Sequence, residues 1–271
     1  MPAKTNVEGS PCATAIARND TVITMTSRSR RMCTHPEYCA AQCQTGEMTI
    51  SEEQAPRIAI VGGSGKVAKH LIRQLHARGD EVLAIFRNPD RYDELAELGA
   101  IPVVLDIEKA SVSELASAFA GCDAVVFSAG AGGGNPARTR AVDYDGAVTA
   151  INAAALAHVE RFIMVSAIGV GAPVSDDVDE KMRPYYEAKH DADLAVEASG
   201  LDYTIVRPGG LTDDAGVGLV TLGDTVDRGS ISREDVAAVI VAALYDPRTI
   251  GHAWELVTGE KSITDAIDAA L

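Results

Sequence analysis

The sequence is short of basic side chains and of long apolar runs, and each shortage excludes a class of protein. Its 271 residues include 24 Lys and Arg against 39 Asp and Glu, a net charge of −15 at pH 7. Because nucleic-acid phosphates are bound by basic surfaces, this balance excludes a typical nucleic-acid partner. No apolar run approaches the roughly 20 residues of a membrane-spanning helix, and the run 236–245 predicts a buried helix. We therefore expect a cytoplasmic protein without a membrane partner.

Aromatic residues and cysteines are also scarce. Aromatic side chains make up 4% of the chain, so the core must consist mainly of Val, Ile, Leu and Ala. Four of the five cysteines lie before residue 44, which leaves Cys122 alone in the remainder and excludes a domain built on disulfides. Cys33, His35, Cys39 and Cys43 offer zinc-type ligands, but they lack the usual C-x2-C spacing, and we expect no metal.

The chain divides near residue 55. Residues 1–55 show neither helical nor strand periodicity, and they carry five basic and six acidic side chains. We expect a disordered N-terminal extension over 1–55, and a single folded domain over 56–271 that carries −14 of the net charge of −15.

From residue 57 onward, short β-rich runs alternate with helical stretches, which is typical of βαβ units and a parallel sheet. The predicted strands are 57–61, 81–86, 101–105, 124–128, 161–166, 202–206 and 253–257. The predicted helices begin near Gly65, Pro89, Ser111, Pro136, Pro184, Ser232 and Ile263. This order predicts an α/β fold of the Rossmann type, a doubly wound and mainly parallel sheet with helices on both faces.

A glycine turn joins the first strand to the first helix. Gly62 allows the tight turn, Gly65 lets the backbone approach a pyrophosphate, and Ala68 keeps the helix close to the sheet. We expect the turn to contact a dinucleotide through Gly62, Gly63, Ser64, Gly65, Lys66 and Val67.

The second strand is followed by Arg87, where NAD-selective sites place an acid. A guanidinium there can bind a 2′-phosphate, with Arg91 as a helper, so the sequence favours NADP(H) over NAD(H). After the third strand, Asp106 and Ile107 are expected beside the adenine. After the fourth strand, the expected contacts are Ser128, Ala129 and Gly130, at the start of a glycine-rich flap over 130–134.

A tyrosine and a lysine stand four residues apart on one face of a predicted helix. Tyr185 is a candidate proton donor to a carbonyl, and Lys189 is expected to lower its pKa and to hold the nicotinamide ribose. Ser166, at the end of the fifth strand, is the candidate residue that polarises the acceptor oxygen. The alternative is an ordinary Tyr and Lys pair on an exposed helix.

These residues resemble the short-chain dehydrogenase/reductase superfamily, and more closely its atypical, epimerase/dehydratase-like branch of single-domain NAD(P)H-binding proteins. The resemblance rests on 62–68, on Tyr185 with Lys189, and on 200–211. It implies that Pro208 and Gly209 border the nicotinamide. The chain departs from the usual pattern in its glycine turn and in Ser166, which lies 19 residues before Tyr185.

The combined interpretation is an NADPH-dependent oxidoreductase that reduces a small carbonyl, quinone or flavin-like acceptor. Two alternatives stay open: a regulator that senses NADP(H) without chemistry, and an enzyme resembling the nucleotide-sugar epimerases. The partner is a small-molecule substrate, contacted by loops 167–183 and 211–229, and the protein is expected to be a monomer or a small homo-oligomer.

Overall fold

The computed structural model describes residues 55–132, 135–171 and 182–271. Its strands are β1 (Arg57–Val61), β2 (Glu81–Phe86), β3 (Ile101–Val104), β4 (Ala124–Phe127), β5 (Arg161–Val165), β6 (Asp202–Pro208), β7 (Gly210–Thr212), β8 (Leu219–Gly223), β9 (Ser230–Ser232), β10 (His252–Thr258) and β11 (Lys261–Ser262). Its helices are α1 (Lys66–Arg78), α2 (Tyr92–Glu97), α3 (Val112–Phe119), α4 (Pro136–Thr139), α5 (Gly146–Leu156), α6 (Arg183–Glu197), α7 (Arg233–Tyr245) and α8 (Ile263–Ala270). A 3-10 turn at Pro89–Arg91 precedes α2, and a π-helical segment at Arg140–Asp145 joins α4 to α5.

The main sheet has the strand order β11-β8-β10-β6-β5-β4-β1-β2-β3. The strands from β3 across to β10 are parallel, and β8 and β11 add an antiparallel edge. The chain moves outward from β1 to β3, then returns to place β4 on the other side of β1. The ends of β1 and β4 therefore form the crevice at which ligands of doubly wound sheets bind. The predicted fold class is confirmed.

Each face of the sheet has its own core. Along β1, Ile58 and Ile60 point to one face, and Ala59 and Val61 point to the other. Helices α1 and α7 cover the first face, and α3, α5 and α6 cover the second. Because helices cover both faces, the central strands consist of continuous apolar residues rather than an alternating pattern.

Several sequence predictions concern residues outside the described ranges. The expected disordered extension and the group of cysteines and histidine lie before residue 55. Two glycines of the expected flap and most of the loop 167–183 also lie outside the described ranges. Among the helices that the structure describes, none is long and apolar enough to cross a bilayer.

Candidate functional site

In the glycine turn after β1, two glycines lie very close to neighbouring residues. Gly62 has a φ of +85°, and its N–H and that of Gly63 both donate to the carbonyl of Ile85, at 3.0 and 2.9 Å. A Cβ on Gly62 would lie 2.7 Å from the backbone of Ala129, so the position requires glycine. A Cβ on Gly63 would lie 2.7 Å from that of Ala84, which shows that Gly63 serves packing against β2.

The N-terminus of α1 has the features of an anion site. Gly65 is its N-cap residue and supplies no side-chain cap, whereas serine side chains cap α3, α7 and α8. The first turn of α1 contains no acidic residue. Its unpaired N–H groups and the positive end of the helix dipole are therefore available to a pyrophosphate, and the residues present fit a dinucleotide.

A first cavity of about 280 Å³ opens at the ends of β1, β2 and β4. Of the predicted cofactor contacts, its lining includes Gly62, Ser64, Gly65, Arg87, Ile107, Ser128, Ala129 and Gly130. Asp106 and Gly63 are not among the lining residues. Asp106 instead accepts the N–H of Glu108 at 3.2 Å and pairs with Lys109 at 3.4 Å, so it shapes the turn after β3.

Two arginines and one glutamate stand together at this cavity. Nη1 of Arg87 and Nε of Arg138 both donate to Oε1 of Glu108, at 2.7 and 3.1 Å. Nη1 of Arg138 also donates to the carbonyl of Ala131 at 2.6 Å. Sequence reasoning found Arg87 but missed Glu108 and Arg138. Arg91, the expected helper, pairs with Glu94 at 3.2 Å and does not line the cavity.

A second cavity, of about 560 Å³, shares Gly65, Ser128, Ala129 and Gly130 with the first, so the two form one elongated groove. Its lining brings together predicted residues from four parts of the chain: Lys66, Val67, Ser166, Tyr185, Lys189 and Pro208. A third cavity, of about 440 Å³, continues from Ser166, Tyr185 and Pro208 and includes Gly209. The groove thus runs from the glycine turn to the tyrosine.

Lys189 is held by a buried ion pair. Its side chain lies on the buried face of α6, and the residue is 3% exposed. Nζ donates to the carbonyl of Val165 at 2.9 Å and lies 3.3 Å from Oδ1 of Asp143, without the geometry of a hydrogen bond. Asp143 is fully buried, and its Oδ2 accepts the N–H of Ala131 at 3.0 Å. Sequence reasoning missed Asp143, which the π-helical segment carries.

Lys189, which was expected to lower the pKa of Tyr185, is not among the groups that shift that pKa in this structure. Burial is the main influence, and with the nearby charge of Asp143 it raises the pKa of Tyr185 well above its usual range. Lys189 is paired with Asp143 and does not lower that pKa. Like an unperturbed phenol, Tyr185 therefore keeps its proton at neutral pH, and the raised pKa makes it a weaker acid than a free tyrosine.

Ser166 belongs to a second buried network. Its hydroxyl donates to Oδ2 of Asp193 at 2.9 Å, and the same oxygen accepts from Nε of Arg207 at 2.9 Å. Asp193 is 1% exposed, and burial raises the pKa of its carboxyl, against the opposing influence of Arg207. Asp193 also follows Tyr185 and Lys189 at a spacing of four residues, and that repeat could have revealed it from the sequence.

Comparison with known proteins identifies the family of the chain. A family model described as NAD(P)H-binding matches residues 62–247. The uncharacterized sugar epimerase YhfK of Bacillus subtilis (strain 168) is 40% identical over 213 residues, which cover 78% of this chain and 98% of that protein.

Solved structures match the fold over the same region. A Bacillus halodurans protein assigned as an NAD-dependent epimerase/dehydratase has a TM-score of 0.73 and 38% identity, covering 79% of this chain and 100% of that one. The oxidoreductase ylbE from Lactococcus lactis has a TM-score of 0.69 and 30% identity, over 79% and 95% of the two chains. The chain therefore belongs to the NAD(P)H-binding family of Rossmann-type proteins, in the atypical branch related to the short-chain dehydrogenase/reductases and the epimerases.

Proposed function

We propose that this protein is an NADPH-dependent oxidoreductase that reduces a small carbonyl, quinone or flavin-like acceptor. One observation carries the proposal: a continuous groove has the glycine turn and Arg87 at one end and Ser166, Tyr185 and Lys189 at the other. The order of these features matches the parts of a dinucleotide, from the adenosine end through the pyrophosphate to the nicotinamide. A dinucleotide bound along the groove in this direction would have its reactive ring among the hydroxyl and ammonium groups.

The charges along the groove support the preference for NADPH. The pyrophosphate would lie at the N-terminus of α1, and the 2′-phosphate would lie beside Arg87 and Arg138 in the first cavity. Both arginines stand out in a chain of net charge −15. Arg87 also occupies the position after β2 at which NAD-selective sites carry an acid.

The bound nicotinamide supplies a hydride to the acceptor. The protein contributes the proton and the positions of the reacting groups. Tyr185 keeps its phenolic hydrogen and donates it to the acceptor oxygen. The ammonium of Lys189 donates one N–H to the carbonyl of Val165 and pairs with Asp143 without a hydrogen bond, which leaves N–H groups for a ribose hydroxyl in the second cavity.

Ser166 lines the second and third cavities together with Tyr185 and can position the acceptor there. Its hydroxyl donates to Asp193, so its oxygen offers lone pairs to the cavities. When Asp193 carries the proton itself, it donates to Ser166, whose hydrogen can then turn to the acceptor. The third cavity receives the body of the acceptor: its lining mixes apolar and aromatic groups, Met182, Tyr186 and Leu211, with the basic side chains of Arg228 and Arg233. This mixture suits a small ring compound.

The test is NADPH oxidation with a panel of aldehydes, quinones and flavins, comparing the wild-type chain with Tyr185→Phe. We expect turnover with at least one acceptor. For a carbonyl acceptor, Tyr185→Phe should lower kcat/KM on the order of 100-fold, because the general acid is lost. Tyr92→Phe is the matched control and should change kcat/KM less than about threefold, since its exposed ring on α2 lines none of the three cavities.

Two results would contradict parts of the proposal. Near-normal carbonyl reduction by Tyr185→Phe would show that another donor, such as solvent, supplies the proton. Tight NADPH binding with no oxidation by any acceptor would contradict the enzyme and favour a regulator that senses the dinucleotide.

A further inference from the structure

Glu108 occupies the point in the first cavity where a 2′-phosphate would bind. Its Oε1 accepts hydrogen bonds from both Arg87 and Arg138, the two guanidiniums of that cavity. The carboxylate therefore makes the contacts that an arginine pair makes with a phosphate. Its Oε2 accepts no hydrogen bond from the residues that the structure describes, and the side chain is 23% exposed.

This arrangement has opposite consequences for the two cofactors. For NADP, the phosphate and the carboxylate require the same donors, and their negative charges repel each other. For NAD, the carboxylate can stay in place while Oε2 accepts from a ribose hydroxyl, as the acid after β2 does in other dinucleotide sites. One side chain would thus oppose NADP and assist NAD.

We propose that Glu108 is a specificity-determining residue that weakens the preference for NADP over NAD by competing with the 2′-phosphate for Arg87 and Arg138. The inference rests on the proposed function, in which this cavity holds the adenosine end of the cofactor. Glu108 follows β3, whereas the acid of NAD-selective sites follows the second strand. The two arginines alone would produce a strict NADP site, and Glu108 makes the site tolerant of both cofactors.

Glu108→Gln tests this role with little structural change. The amide oxygen of glutamine can accept from both guanidiniums, so the arginines keep their positions while the negative charge disappears. Glu97→Gln is the matched control, because it removes the same charge from an exposed site on α2 that lines none of the described cavities.

The measurement is a titration of the full chain with NADPH and NADH, and with 2′,5′-ADP and ADP, followed by protein fluorescence or calorimetry. We expect Glu108→Gln to lower the Kd of NADPH and of 2′,5′-ADP about tenfold at low salt, the effect of removing one nearby charge. The Kd of NADH and of ADP should stay the same or rise up to roughly threefold, as expected for the loss of one charged acceptor at a partly exposed site. Glu97→Gln should change none of them.

The other outcomes are informative in different ways. If the wild-type chain binds neither dinucleotide, the proposed function fails. If it binds both, and Glu108→Gln leaves the ratio of the NADH and NADPH Kd values unchanged or lowers it, the proposal for Glu108 is overturned while the proposed function stands. In an Arg87→Ala background the gain in NADPH affinity from Glu108→Gln should be smaller, because only Arg138 remains to be freed from its pair with Glu108. A full gain in that background would show a general charge effect and would also overturn the proposal.

Discussion

Arg87→Ala is the substitution whose effect on cofactor choice can be worked out most fully from the structure. The Arg87 side chain is 49% exposed, lines the first cavity and pairs with Glu108 at 2.7 Å. Its removal takes one of two cations away from the 2′-phosphate of NADPH. It also removes one of the two guanidinium partners of Glu108, which keeps its pair with Arg138.

The size of the effect follows from these contacts. A hydrogen bond to a charged group contributes about 1.5 to 3 kcal/mol, and the exposure of Arg87 places the value near the lower end. A loss of about 1.5 kcal/mol corresponds to roughly a tenfold rise in the Kd of NADPH. NADH lacks the phosphate, so its Kd should change less than about twofold on the same reasoning.

The assay is a fluorescence titration of both cofactors at fixed ionic strength, with Arg91→Ala as control. Arg91 lies on the same connection after β2, but it pairs with Glu94 and does not line the cavity. Its loss should leave both Kd values unchanged. An equal weakening of NADPH and NADH by Arg87→Ala would refute the reasoning, and so would an unchanged Kd for NADPH.

Three further predictions concern the turn, the buried ion pair and the buried cysteine. Gly62→Ala should lower the free energy of unfolding by about 1 to 3 kcal/mol, because Gly62 has a positive φ and an added Cβ would contact Ala129. It should also weaken dinucleotide binding. An unchanged Tm would contradict the expected loss of stability. Lys189→Met should lower the free energy of unfolding by about 3 to 5 kcal/mol, because it leaves Asp143 buried and unpaired. Adding Asp143→Asn should restore part of this loss, as measured by chemical unfolding. No recovery would mean that the ion pair does not stabilise the fold. Burial raises the pKa of Cys122 to about 11, so its thiol should react slowly in the folded protein. In a chain whose other cysteines are replaced by serine, a thiol reagent at pH 8 should label Cys122 slowly until the protein unfolds. Rapid labelling of the folded chain would show an accessible thiolate and contradict this.

The central part of the fold could be predicted from the sequence because its signals are local. The first two strands agree with their predicted bounds, since each is a continuous apolar run that ends at a glycine turn or before a proline. The short strands β7, β8, β9 and β11 were not predicted. They have two to five residues each and pair with distant segments, so no local pattern marks them. The π-helical segment before α5 also lacks a signal of its own.

The residues of the candidate site likewise fall into those that the sequence predicts and those that only the structure reveals. Motif residues such as Gly62, Arg87 and Tyr185 carry a recognisable spacing, and the structure places them along one groove. The charged residues that position them were missed, namely Glu108, Arg138, Asp143 and Asp193. A lone charged residue in a sequence indicates a solvated surface. Only the tertiary structure shows that Asp143 is buried among functional groups, whereas the four-residue repeat with Tyr185 and Lys189 marks Asp193 in the sequence.

The most direct test of the account is a crystal structure of the full chain with NADP⁺ bound. The account predicts the pyrophosphate at the N-terminus of α1, the 2′-phosphate within hydrogen-bond distance of Arg87 and Arg138, and the nicotinamide in the second cavity beside Tyr185 and Lys189. Glu108 should have left its position between the two arginines. A dinucleotide bound outside the groove, or a nicotinamide ring far from Tyr185, would contradict the proposed oxidoreductase site.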